Sequence, residues 1–536
     1  MSTSVIIFSF LCLLSVINGY VVSTSVGDIN GKYEETISKG TPHHAFLGIP
    51  YSQPPIGSKR FKPPRKVKNF TTIWDATYYK SSCVQFHWEK TLSWTGEEDC
   101  LFLDILTTAF YHNESNLAVM VWIHGGFFFR GDSHSSSYNL DYFLDEHIVS
   151  IKLNYRLGFL GFYHGKKNIF GNMGIKDQLM ALKWIKENIK YFGGDPKKIT
   201  IMGESAGAAC VSYLIQTPLS KGLFQRAIMQ SGNTLTGWAI ARKAASITKI
   251  MLKLNKMLIK FLDNVSDRIS GFFSVILPGF KMAFDTALDP LQGLLYAPVK
   301  EKENPTAIHL NDTDKILDKC ENGSFVPIMI GFNKNEGRTI TDHNIVTKFL
   351  SIVLNNIYSL FSSSLLPKDL KKLANCSHLG TEIKEYYKLS SYNDTAKFIG
   401  DVFFVEPTVQ YVKMFSKCNK VYFYRFSYKD AGHGDDLHFL FANFFYKLET
   451  YKERLVSKKM IKIWSHFIKY GYPRKKNNSL TWPESTHDNN YVYMDISRKL
   501  TLTNLSSSPH SETLTFWKKI YKKCGLGHLK VIQNNY

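Results

Sequence analysis

The sequence predicts an α/β fold: a central, mostly parallel twisted sheet with helices on both faces. Three observations lead there. Apolar runs edged by glycines recur at LAVMVWIHGG (117–126), HIVSIKLNYRLGFLGF (147–162) and KKITIMGES (197–205). Continuous apolar strands of this kind suit a parallel sheet covered on both faces. Between the second and third runs, DQLMALKWIKENIKYFGG (177–194) places apolar residues at helical spacing and stops at a Gly-Gly pair. The third run leads into GESAG (203–207), in which Ser205 has a glycine two positions away on each side. That pattern marks a sharp strand-to-helix turn with the serine exposed and strained at its apex. Strand, helix, strand, turn and helix in succession make a doubly wound arrangement.

The other elements follow in chain order. An extended, Pro-punctuated opening, FLGIPYSQPPIGSKRFKPP (46–64), precedes the first apolar run, and later strands are expected at VPIMIGF (326–332) and VYFYRFSY (421–428). SKKMIKIWSHFIKYGYPRKK (457–476) and FWKKIYKK (516–523) read as amphipathic helices that face their lysines to water. The stretch 238–320 is rich in helix formers and carries no interpretable motif. No internal repeat or low-complexity linker divides the chain, so residues 20–536 are expected to form one large domain.

The chain opens MSTSVIIFSFLCLLSVINGY, whose apolar run Val5–Ile17 is short for a membrane span and precedes a small residue, Gly19. Residues 1–19 therefore read as a signal peptide, although its front end lacks Lys and Arg. GFFSVILPGF (271–280) is short and broken by Pro278, and the tail HLKVIQNNY is polar, so no stable membrane anchor is expected. A secreted, extracellular glycoprotein fits the N-x-S/T sequons at Asn69, Asn113, Asn264, Asn311, Asn322, Asn375, Asn393, Asn477 and Asn504. Of eight cysteines, Cys12 leaves with the signal peptide; the odd remainder implies a free thiol or an intermolecular bond. No C-x-x-C spacing supports a zinc site, and neither a metal nor a cofactor is expected. The formal net charge is +21, with lysines spread along the chain and no basic tail, which argues against a nucleic-acid partner. It leaves an ordinary solvated surface or attraction to anionic surfaces such as glycans and membranes.

Seven blocks occur in order: EDCLFLDI (98–105), HGGFFFRGDS (124–133), NYRLGFLGF (154–162), GNMGIKDQLMALKWI (171–185), FGGDPKKITIMGESAGA (192–208), GFNKNEG (331–337) and HGDDLHFLF (433–441). Together they closely resemble the type-B carboxylesterase and cholinesterase group of α/β-hydrolases, particularly secreted insect-type carboxylesterases. The resemblance runs from about residue 20 to about residue 520 and weakens between 238 and 320. It implies a nucleophile at Ser205, a triad acid at Glu336 and a general base at His433, in the chain order that such hydrolases use. The chemistry is coherent: a serine hydroxyl is a weak nucleophile until an imidazole takes its proton, and a carboxylate fixes that imidazole's tautomer. His438 and His466 compete with His433 by residue type alone, and the HGDD context favours His433.

The family's oxyanion block is usually H-G-G-G, whereas this chain reads His124-Gly125-Gly126-Phe127. The resemblance implies backbone donors at Gly126, Phe127 and Ala206. A main-chain N–H does not require glycine, but a positive φ at Phe127 would strain it. The resemblance also pairs Cys83 with Cys100 and Arg60 with Glu98. It gives no convincing partners to Cys320, Cys376, Cys418 or Cys524, and it buries Cys210 on the helix after Ser205. The cholinesterases' choline-binding Trp has no clear counterpart, since Trp88 and Trp94 stand out of register in the first disulfide loop. Juvenile hormone esterases carry Gln before the nucleophile, where this chain has Glu204. The implied activity is hydrolysis of small lipophilic esters; a slow or inactive secreted ligand-binding or adhesion-type protein is the alternative.

Overall fold

Each central strand alternates two kinds of apolar residue, and the two kinds enter different cores. Along Leu117–Ile123, Val119, Val121 and Ile123 face one core, while Met120 and Trp122 face the other. The same division separates Ala227 and Met229 from Ile228, and Ile328 and Ile330 from Met329. A strand with period-two side chains and two dry faces must read as a continuous apolar run. The computed structural model describes residues 19–87, 93–111, 114–134, 138–164, 170–241, 296–301, 304–308, 313–321, 323–338, 365–366, 376, 378–442, 447–474 and 482–525. Residues 1–18 of the expected signal peptide 1–19, most of 238–320 and Trp88 fall outside them.

The strands are β1 (Tyr20–Thr24), β2 (Gly27–Glu35), β3 (Pro42–Pro50), β4 (Trp74–Asp75), β5 (Gln85–His87), β6 (Ser93–Thr95), β7 (Phe102–Thr107), β8 (Leu117–Ile123), β9 (Val149–Leu153), β10 (Gly194–Glu204), β11 (Arg226–Gln230), β12 (Ile328–Asn333), β13 (Val421–Phe426), β14 (Tyr493–Ile496) and β15 (Leu500–Thr503). Thirteen form one sheet in the order β1-β2-β3-β7-β9-β8-β10-β11-β12-β13-β14-β15, with β4 beside β2, while β5 and β6 pair apart. From β9 to β14 every pairing is parallel, and antiparallel pairs occupy the two margins. This is the expected mostly parallel sheet. Helices Met173–Asn188, Ala206–Gln216 and Glu406–Phe415 cover one face, and Tyr451–Tyr470 covers the other.

Three expected boundaries move. The run 147–162 is a strand only over Val149–Leu153, and Gly158–Phe162 is a short helix instead. Its chain leaves the sheet where Arg156 turns to Asp177, with Nη2 and Nε each 2.7 Å from a carboxylate oxygen. The helix expected at 177–194 starts earlier, at Met173, ends at Asn188 and runs into a 3-10 turn at Ile189–Phe192. The basic helix expected at 457–476 is Tyr451–Tyr470, opened by the Thr450–Glu453 capping box and closed by Gly471 at φ +85°. Its Lys452, Lys458 and Lys462 face water as expected.

Cys83–Cys100 forms as the resemblance implies, and Arg60 pairs with Glu98. The four unassigned cysteines are also joined, as Cys320–Cys418 and Cys376–Cys524. Separations of 98 and 148 residues left no local pattern from which to pair them. Cys210 is the buried free thiol among the described residues. Asn69, Asn393 and Asn504 are exposed; the other six sequon asparagines lie outside the described residues.

Arg156 and Asp177 are 3% and 0% exposed, so each neutralises a charge that water cannot reach. Asp177→Ala leaves the guanidinium buried and uncompensated. It is expected to cost about 3–5 kcal/mol, seen as a lower midpoint in guanidinium chloride than wild type.

Candidate active site

The parallel strands deliver their polar residues to one edge. β10 ends at Glu204, and Ser205 takes φ 55° and ψ −122° before the helix Ala206–Gln216 begins. A serine in this region is strained by about 1–3 kcal/mol and must be held there. Its N–H donates to the Gln230 carbonyl at 2.8 Å, and its carbonyl accepts from the Ala209 N–H at 3.0 Å. The two glycines are steric necessities. A Cβ on Gly207 would stand 2.1 Å from the Ile123 carbonyl oxygen, and one on Gly203 would stand 2.6 Å from Gly207. The five-residue pattern is thus the footprint of close crossing between β10, its helix and the end of β8.

The loop after β8 is locked beside this turn. Tyr155 stacks on His124 with ring centroids 4.4 Å apart, and its hydroxyl donates to the His124 carbonyl at 2.8 Å. The Gly126 carbonyl accepts from the Phe129 and Arg130 N–H groups, each at 3.1 Å. Gly126, Phe127 and Phe128 have φ values of +99°, +56° and +63°. Two consecutive phenylalanines therefore occupy the left-handed region that glycine would enter freely. Ala206 is the first residue of the helix, whose leading N–H groups have no intrahelical acceptor.

Glu336 opens a 3-10 turn just past β12, and His433 follows β13. His433 Nδ1 lies 2.7 Å from Glu336 Oε2, so the nearly buried carboxylate fixes one imidazole nitrogen. Glu336 Oε1 accepts from the Ser231 hydroxyl at 2.5 Å and from the Asn333 N–H at 2.6 Å. Neither competing histidine takes this place: His438 pairs loosely with Asp435, and His466 bonds the Tyr472 carbonyl.

The sequence reading missed four members of this cluster: Ser231, Asn333, Asp436 and the electrostatic part of Glu204. His433 Nε2 faces Glu204 Oε1 at 3.2 Å. Beneath them, buried Asp436 accepts from Gln230 at 2.6 Å, Asn333 at 3.1 Å and Tyr424 at 3.2 Å. Burial pushes Glu204 up to about 7 and Asp436 up to about 6, with neighbouring carboxylates adding to both. Burial alone would lower His433, but Glu204 and Glu336 outweigh it and raise the imidazole to about 9. The signal for Asp436 was present in HGDD, three residues past His433. Ser231 and Asn333 carry no local sign, because only the sheet brings them to Glu336.

Aromatic rings pack beside the cluster, with Phe404 4.5 Å from the His433 ring. Trp238 lies 6.3 Å from Phe128 and 5.9 Å from Phe404 between ring centroids, and Phe127 stacks on Phe129 at 5.9 Å. Among the described residues, no group of His, Cys, Asp and Glu is arranged to hold a metal ion.

This arrangement can be set beside known proteins. The carboxylesterase family model matches residues 18–517. Pyrethroid hydrolase Ces2a of Mus musculus is 31% identical, over 93% of this chain and 90% of its own. Esterase E4 of Myzus persicae is 30% identical, over 87% of this chain and 88% of its own. Among solved structures, a PNB esterase superposes with a TM-score of 0.73 at 27% identity, covering 92% of this chain and 100% of its own. Juvenile hormone esterase of Manduca sexta reaches a TM-score of 0.80 at 24% identity, over 94% of this chain and 100% of its own, a likeness of fold. The chain belongs to the carboxylesterase family, and it is a carboxylic ester hydrolase built on the α/β-hydrolase fold.

Proposed function

We propose that the protein is a secreted esterase that cleaves small lipophilic esters through an acyl-enzyme on Ser205. The observation that carries this reading is the 2.7 Å contact between His433 Nδ1 and a buried Glu336, downstream of a serine held at a strained strand-to-helix turn. Ser205 Oγ attacks the ester carbonyl carbon while His433 Nε2 takes its proton. The carbonyl oxygen gains the charge and is met by the N–H groups of Gly126, Phe127 and Ala206. On collapse the alkoxy C–O bond breaks, and His433 returns the proton to the leaving alkoxide. Water then attacks the acyl-serine, giving His433 a proton that passes back to Ser205 as the acid departs.

The substrate class rests on the rings beside the glycine loop. Phe127 and Phe129 are partly exposed there and are backed by buried Phe128, Trp238 and Phe404, an uncharged apolar setting that favours lipophilic acyl and alcohol groups. Secretion rests on the N-terminal segment, on three disulfides that require an oxidising compartment, and on β1 beginning at Tyr20, directly after the expected cut. Residues 20–536 are read as one catalytic domain, glycosylated at its exposed sequons. No helix among the described residues is long and apolar enough to cross a membrane.

One observation favours the alternative reading, a slow or inactive ligand binder. Phe127 occupies the left-handed region, where a misaimed donor would lower turnover by about 100- to 1,000-fold. Labelling of the secreted protein with a fluorophosphonate, followed by intact mass, separates the two. One stoichiometric adduct on wild type and none on Ser205→Ala is the expected result; unlabelled, folded wild type would leave the binding reading. Because the donor is a main-chain group, Phe127→Gly is expected to keep at least the wild-type kcat on aryl esters. A tenfold fall would assign the ring, rather than the amide, the larger role.

The charge on His433 sets the pH dependence. As base it must be neutral, and its neighbours hold the proton on to about pH 9. kcat/KM is therefore expected to rise with pH well above the ordinary histidine value of about 6.5. Glu204→Gln removes one of the two carboxylates facing the imidazole. Its rate profile should start rising at lower pH than wild type, and an unmoved profile would separate Glu204 from the titration.

A further inference from the structure

The helical rod that carries Phe404 is interrupted where the sequence reads DVFFVEP. Helix Tyr392–Gly400 passes into a π-turn over Asp401–Val405 and resumes as Glu406–Phe415, with the Glu406 N–H reaching back to the Asp401 carbonyl. Pro407 explains the interruption. It has no N–H for the carbonyl four residues back, that of Phe403, and its ring would clash with that carbonyl in a regular α-helix. The Phe403 carbonyl accepts instead from the Trp238 indole N–H at 3.2 Å. A π-turn adds one residue within the rod, which turns neighbouring side chains by about 100° relative to an unbroken α-helix.

That rotation has a local result. Phe404, 4% exposed, lies with its ring 4.5 Å from the His433 ring at an interplanar angle of 42°. The same rod abuts the turn of Glu336, since a Cβ on Gly337 would stand 1.8 Å from the Ala396 carbonyl oxygen. One rigid element thus touches both partners of the Glu336–His433 pair. The imidazole is bounded by Glu336 at Nδ1, by Glu204 at Nε2 and by Phe404 across its ring, and Asp436 also acts on its charge.

We propose that Phe404, set in place by the Pro407-induced π-turn and the Trp238–Phe403 hydrogen bond, is a positioning residue that fixes the plane of His433 and favours its cation through the aromatic ring. The inference rests on His433 acting as the base. An aromatic quadrupole beside a desolvated cation stabilises it, so the ring assists the step in which the imidazole accepts the serine proton. A side chain of similar bulk without a ring would fill the space and lose both the ring contact and the stabilisation.

The test uses the full-length secreted protein and two readouts. Ester kinetics give kcat and KM, and NMR of labelled histidine gives the acid dissociation constant of His433, its resonance assigned by loss in His433→Gln. Phe404→Leu is expected to lower kcat about tenfold with KM within about twofold, and to raise that dissociation constant about threefold. Phe404→Tyr should restore both, and Pro407→Ala, which returns a donor to the Phe403 carbonyl, should behave like Phe404→Leu. Wild-type kcat and wild-type titration in folded Phe404→Leu would overturn the proposal. If wild type itself neither turns over esters nor labels, the esterase mechanism fails, while the titration still decides whether Phe404 acts on His433.

Discussion

Everything at the candidate site depends on how closely β8, β10 and the helix after Ser205 approach one another. The backbone at Ser205 is held at φ 55°, and the space around it admits no Cβ on Gly203 or Gly207. Such a turn persists only when its surroundings over-determine it. Here they do so through the parallel ladders from β8 through β10 to β11, and through the Ser205 N–H bound to Gln230 at the end of β11. The candidate site residues then gather at the carboxyl ends of neighbouring strands. The glycine loop follows β8, Ser205 follows β10, Ser231 follows β11, Glu336 follows β12 and His433 follows β13. An open α/β sheet collects ligands at that edge because only there do loops of several strands meet.

Closeness of this kind also sets the electrostatics. Glu204, Glu336 and Asp436 surround one imidazole in a space that water barely enters. Burial lifts Glu204 and Asp436 toward neutrality, repulsion among the carboxylates adds to the rise, and Glu204 and Glu336 together hold His433 as a cation. Hydrogen bonds decide which carboxylate stays the imidazole's partner. Glu336 accepts from Ser231 and Asn333, which hold its carboxylate in place against the imidazole, whereas burial raises Glu204 to about 7. The asymmetry explains how two carboxylates at opposite nitrogens of one ring can have different duties.

What the sequence disclosed follows the range of the forces involved. Ser205, Glu336 and His433 stand in short patterns because each sits on a turn whose neighbours are sterically fixed within a few residues. The buried strands were legible because two dry faces demand unbroken apolar runs. β1 and β2 were not: GDINGKYEE is half exposed at a margin and has no such run. Ser231 and Asn333 are ordinary polar residues until the sheet carries them to Glu336. Phe127 could be flagged from its missing glycine, but its positive φ needed the backbone. The π-turn lies between these cases. Pro407 forbids a regular helix at Phe403, and only the fold shows Trp238 waiting there.

The two disulfides that sequence did not pair complete the same logic. Long connections leave the sheet between β11 and β12 and between β12 and β13, and each must return its chain to a precise strand end carrying Glu336 or His433. Closing long loops costs conformational entropy that rises only slowly with length, and cross-links offset part of that cost. Cys320–Cys418 ties the end of the first connection to the entry of β13, and Cys376–Cys524 ties the second to the end of the helix Ser511–Lys523. Cross-links over such separations restrict the unfolded chain most. The Glu336–His433 contact is therefore secured from both directions, by strand pairing along the sheet and by covalent bonds behind it.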